Sequence, residues 1–151
     1  MRKNRPKIPH YRIQLQSLEL IKAAASHTGV VGMEMTFQPL PEYELRVADV
    51  AWFSQERWDQ SADQEYLQGA PDLVIEGVSP SNKAVDIAEE EKLCLANGSR
   101  EFWVIFPNLR EGKVSTPDRI TTTYREGQEI PLRLFGTSTL PAAAIFAGIP
   151  D

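Results

Sequence analysis

The chain has 151 residues, enough for one domain with a real core. Its 42% hydrophobic and 25% charged composition is ordinary for a soluble globular protein, and it has no run of about 18 apolar residues that would span a membrane. The net charge of −5 argues against a uniformly basic nucleic-acid binder, so any contact with phosphates must rest on local clusters of Lys and Arg.

One such cluster opens the chain. Arg2, Lys3, Arg5, Lys7 and Arg12 crowd the first dozen residues, and residues 1–12 read as a basic tail ahead of one domain over 13–151. No apolar signal core follows it, and the lone Cys94 can close no internal disulfide. A cytoplasmic protein is the expectation.

Leu15, Leu18, Ile21 and Ala25 recur at helical spacing before Gly29, so Gln14 to His27 reads as a helix. Val31, Met33, Met35 and Phe37 alternate with Gly32, Glu34, Thr36 and Gln38, the period of a strand with one buried face. Pro39 and Pro41 break it. Asp49 to Ser54 and Asp72 to Val78 are short apolar runs, each opened by an Asp, and read as buried central strands. Between them, Gln60 to Gln68 reads as a loop or short helix.

Ser79-Pro80-Ser81-Asn82 supplies a turn and helix cap, followed by a helix over Lys83 to Asn97 that ends at Gly98. Glu101 to Phe106 is a third central strand. Arg119 to Tyr124 is rich in β-branched residues and reads as a strand with Gly127 in the next turn, and Pro141 to Phe146 reads as a last short helix. The order implies a single α/β (α+β) domain with a mixed sheet flanked by helices. Trp52, Trp58 and Trp103 are expected in or near the core. His10 and His27 lie far apart with no ligand cluster around them, and read as surface or packing residues.

Asp72 and Glu76 carry the chemical signal. Positions four apart on a strand face the same side, so both carboxylates would project from one face of an apolar strand. A buried carboxylate costs several kcal/mol unless a cation or hydrogen bonds compensate. Asp49 opens the other apolar strand, and neighbouring central strands could gather the acids around a hard cation such as Mg²⁺. The plainer reading makes Asp72 a turn residue and pairs Glu76 with an Arg.

The segment G-A-P-D-L-V-I-E-G-V-S-P-S-N, then a helix, then N-G-S-R-E-F-W-V-I-F-P, resembles the signature of the Uma-type putative restriction endonucleases. R-V-A-D-V-A-W-F-S-Q-E-R-W resembles the preceding strand motif of that family. The resemblance runs from about Gly29 to Phe146 and implies the restriction-endonuclease-like fold of the PD-(D/E)xK superfamily, whose chemistry is Mg²⁺- (or Mn²⁺-) dependent DNA cleavage. By that resemblance Asp49 is the strand Asp, Asp72 the PD Asp and Glu76 the metal-binding Glu, with all three on one ion.

The chain departs from the pattern at the Lys. The superfamily's position two beyond the Glu is Val78 here. The family's alternative, a Lys on the next helix, falls on Glu90 when counted back from Gly98. Lys92 lies about 200° round the helix from that position, and Lys83 at the helix start is the other candidate. Phe106, Cys94 and Gly77 also replace the family's Asp, Tyr and Val. The resemblance therefore leaves two readings: a DNA endonuclease using Asp49, Asp72, Glu76 and Lys92 or Lys83, or an inactive nuclease-fold protein kept as a binding or dimerisation module. A homodimer is expected in either case, with Ala142, Ile145 and Phe146 as apolar surface.

Overall fold

The computed structural model describes residues 7–25, 27–79 and 84–150. In chain order it contains α1 (Ile8–Ala24), β1 (Gly29–Gln38), β2 (Arg46–Ser54), α2 (Gln55–Gln60), β3 (Leu67–Gln68), β4 (Leu73–Gly77) and α3 (Ala84–Ala96). After these come β5 (Glu101–Phe106), β6 (Glu111–Ser115), β7 (Thr121–Arg125), β8 (Glu129–Pro131), a 3₁₀ turn (Arg133–Phe135), β9 (Thr139–Pro141) and α4 (Ala142–Ile145). Seven strands form one mixed sheet in the order β3-β1-β2-β4-β5-β6-β7, and β8 and β9 form a separate two-stranded ribbon. The pairs β1/β2, β2/β4, β5/β6 and β6/β7 are antiparallel. β4 and β5 are parallel, which requires the crossover that α3 provides.

Alternation along the central strands divides the core in two. Val50, Trp52, Ile75 and Trp103 pack with Ile13 and Ile21 of α1, whereas Ala51, Phe53, Val74 and Phe102 pack with Cys94 of α3. Successive strand residues point to opposite faces, so α1 and α3 sandwich the sheet. Among the described residues no helix is long and apolar enough to cross a membrane.

The central strands stand where the apolar runs place them. The helices differ in extent and phase. α1 begins at Ile8, with Pro9 in its first turn, and ends at Ala24, so residues 8–12 belong to the helix and not to a tail. Its buried face carries His10, Ile13, Gln14, Ser17 and Ile21, while Leu15 is 40% exposed. Trp58 lies outside the core at 45% exposure, against the ring of Phe53. Ala142, Ile145 and Phe146 are buried in the chain's own core, so they offer no surface to a second copy. β6, β8 and β9 had no clear sequence pattern.

Ile21 is fully buried. Ile21→Ala should lower the unfolding free energy by about 2–5 kcal/mol, and Leu15→Ala by about 0.5 kcal/mol or less; urea titrations of the two variants measure the difference.

Glu101 enters β5 opposite Leu73 and is buried, its Oε1 accepting a hydrogen bond from the Trp103 indole at 2.8 Å. Burial pushes its carboxyl above the ordinary 4.5; the Trp103 bond and the charges of Arg133 and Arg100 oppose the shift without cancelling it. The folded chain thus binds this proton more tightly than the unfolded chain. The resulting stability is full below pH 4.5 and is lost as pH rises through the raised value. Glu101→Gln keeps a neutral side chain at every pH and should become progressively more stable than wild type as pH rises above 4.5. Equal slopes of stability against pH would contradict this.

Candidate active site

β2 and β4 pair through Trp52↔Leu73, Ala51↔Val74 and Val50↔Ile75. One step further the register sets Asp49 opposite Glu76, and there side chains replace the ladder. The Asp49 N–H donates to Glu76 Oε2 at 2.7 Å, and the Gly77 N–H donates to Asp49 Oδ2 at 2.9 Å. Each acid therefore accepts a main-chain donor from the other's strand. On the other edge of β2, the pairs Met33↔Val50 and Met35↔Ala48 leave Glu34 opposite Asp49. Glu34, Asp49 and Glu76 thus occupy one rung across three adjacent strands. Facing like charges destabilise a sheet unless cations or donors offset them.

The donors come from α1. Gln14 Nε2 lies 2.6 Å from Glu34 Oε1 and 3.2 Å from Asp49 Oδ1, so one amide group bridges both acids. His10, one turn earlier, places Nε2 3.6 Å from Asp49 Oδ1. Its ring packs over Gly77, where a Cβ would come within 3.2 Å of Ile13 Cγ2 and 3.4 Å of His10 Nδ1. Gly77, having no side chain, thus leaves room for α1. Three buried α1 atoms have no hydrogen-bond partner: His10 Nδ1, Gln14 Oε1 and Ser17 Oγ. Each such atom costs about 1–3 kcal/mol, and three in a row on one helix face mark a place where other groups belong.

Glu34 has φ +53°, and among the described residues it is the non-glycine residue inside a strand with positive φ. That conformation costs roughly 1–2 kcal/mol for an L-residue, a strain that concentrates at functional sites.

On the α3 side, burial pushes the Cys94 thiol up strongly, and the charges of Glu90 and Glu76 add to the shift, while a bond with Ser99 and the charge of Arg46 oppose it. Glu76, Glu90 and Arg46 therefore all lie within electrostatic reach of Cys94. Glu90 is half-buried and Lys92 is exposed, while Lys83 lies outside the described residues.

Asp72 stands elsewhere. At about 3.3 Å per strand residue it is roughly 13 Å from Glu76 along the chain, and Oδ2 accepts from the Ser54 N–H at 3.1 Å and Arg57 Nη1 at 3.4 Å. Arg57 also donates to the carbonyls of Ala70 and Gln68. Asp72 thus ties the start of α2 to the start of β4. The expected convergence of Asp49, Asp72 and Glu76 does not occur: same-face geometry on a strand does not bring positions four apart within reach of one ion. Among the described residues, no three His, Cys, Asp or Glu side chains stand close enough together to hold a metal.

The fork nevertheless suits a hard divalent cation in kind. Its carboxylate oxygens are the kind of ligand that Mg²⁺ and Mn²⁺ prefer, and the Gln14 amide that presents nitrogen to them has a buried oxygen without a hydrogen-bond partner. His10, Gln14 and Glu34 escaped the sequence reading. The signal for the first two was present as polar residues at helical spacing on the face that Ile13 and Ile21 bury.

The chain is an α/β domain with a mixed sheet sandwiched by helices and a pair of buried acids where two central strands part. The chain belongs to the Uma2 family, described as "Putative restriction endonuclease", whose model matches residues 3–143. The fold is similar to that of a crystal structure described as a putative nuclease belonging to DUF820 from Anabaena variabilis ATCC 29413. The two share 20% identity and a TM-score of 0.83, covering 97% of this chain and 85% of that one. No curated protein matches.

Asp72→Ala removes a buried acceptor and leaves Arg57 without its carboxylate. A loss of about 1–3 kcal/mol in stability is expected, and thermal denaturation of the variant beside wild type checks it.

Proposed function

We propose that this chain is a Mg²⁺-dependent (or Mn²⁺-dependent) DNA endonuclease of the PD-(D/E)xK type, hydrolysing phosphodiester bonds at the fork between β2 and β4. The observation that carries the reading is the reciprocal capture of Asp49 and Glu76, two buried acids held in place by each other's strand. When bound, the ion would supply Lewis-acid polarisation of the phosphate and a more acidic water. Asp49 and Glu76 would hold it. The amides of Asp49 and Gly77 fix the two carboxylates, so little reorganisation is needed when charge arrives. Asp72 takes the supporting role of bracing α2 on β4, not that of a ligand.

DNA is the polymeric partner this reading requires. Cutting both strands calls for two such sites, and Ile8, Tyr11 and Leu15 form an exposed apolar row along α1 on which two copies can pair.

A second reading, a nuclease-fold module that binds without cutting, draws on the exposure of Lys92 and the half-buried position of Glu90. An acid where a Lys would stand repels the scissile phosphate. Plasmid nicking separates the two readings. On the endonuclease reading, wild type nicks in Mg²⁺ and not in EDTA, and Glu76→Gln lowers the rate by about 100-fold or more. Absence of Mg²⁺-dependent nicking at micromolar protein would leave the module reading. Nicking that Glu76→Gln retains would remove the fork from the chemistry.

A further inference from the structure

We infer that Glu34 supplies the third carboxylate of the cation site, the place that strand spacing alone assigns to Asp72, and that the Gln14 amide keeps this place in the free protein. The inference rests on the cleavage reading above and deepens it. The rung is the first ground: register sets Glu34, Asp49 and Glu76 side by side on β1, β2 and β4. Gln14 is the second. Its NH₂ group sits between Glu34 Oε1 and Asp49 Oδ1, offering two partly positive hydrogens where two anions face each other. Its Oε1 meanwhile is buried and unpartnered.

Rotating that amide by half a turn exchanges the two atoms. The oxygen would then face two carboxylates, an arrangement that is repulsive without a cation and favourable with one. The same side chain therefore suits the free and the loaded site, as a donor in the first and a neutral oxygen ligand in the second. Among the described residues no three acids stand close enough to share an ion as they are placed, so the site in this inference closes only when an ion draws the carboxylates and the turned amide oxygen together. The positive φ of Glu34 fits this reading: the strand is bent at the residue whose carboxylate reaches α1.

Calorimetry with Mn²⁺ on wild type, Glu34→Gln, Glu34→Gly and Asp72→Asn tests the inference without relying on cleavage. Glu34→Gln keeps an acceptor for Gln14 and removes the charge, and should weaken Mn²⁺ binding by roughly tenfold or more. Glu34→Gly should weaken it at least as much while relieving the positive φ, so the melting temperature should not fall in proportion. Asp72→Asn should leave the affinity within about twofold. Wild type that binds Mn²⁺ and keeps its affinity in both Glu34 variants would overturn this inference alone. Loss of affinity in Asp72→Asn with Glu34→Gln unaffected would return the third place to Asp72. Wild type that binds no Mn²⁺ would overturn both this inference and the metal-dependent reading beneath it.

Discussion

The structure turns on the point where β2 and β4 stop pairing as strands and begin pairing through their acids. A sheet normally satisfies each amide with a carbonyl across the ladder. Beyond Val50↔Ile75, the amides of Asp49 and Gly77 are satisfied by the carboxylates of Glu76 and Asp49. That exchange does two things together: it terminates the pairing without orphaning buried donors, and it holds two charges in fixed places inside the fold. Charge-assisted bonds of this kind are about twice as strong as neutral ones, so the ladder is exchanged here for something at least as firm.

The rest of the domain is arranged around that fork. α1 crosses it because Gly77 has no side chain to bar the way, and Ile13 and His10 fill the space. The helix then presents polar residues where a core helix would present apolar ones, and three of their polar atoms lack partners. Hydrophobic anchoring of the helix falls to the buried Ile13 and Ile21, with the partly buried Leu18, Leu20 and Ala24 packed beside them. On the far side, α3 links the parallel strands β4 and β5 and brings Glu90 within electrostatic reach of Cys94, as Glu76 and Arg46 also are.

The legible part of this site was the part that broke a pattern. Asp49 and Glu76 are charges inside apolar runs, and such charges require an explanation in any fold. Glu34 broke no pattern: in an alternating strand it reads as one more outward polar residue, and only the register with β2 reveals what it faces. Gln14 and His10 were hidden by the same logic reversed. Periodicity finds a buried face by looking for apolar residues, and the face of α1 over the fork is polar, so Leu15 and Leu18 drew the phase away from it. Asp72 failed for a metrical reason. Residues four apart share a face of the strand, but its rise carries them apart faster than a single ion can bridge.

Asp72 and Asp49 both open apolar strands, yet the two acids do different work because of what stands opposite each. Asp72 meets the first turn of α2, where the Ser54 N–H and the Arg57 guanidinium converge on one carboxylate oxygen. Its charge is matched by a fixed cation, and a group so paired has little left to offer a mobile ion. Asp49 accepts from the Gly77 N–H and the Gln14 amide and lies 3.6 Å from His10 Nε2, on a rung with two other acids. Partner chemistry, more than position in a motif, separates the surroundings of the two acids.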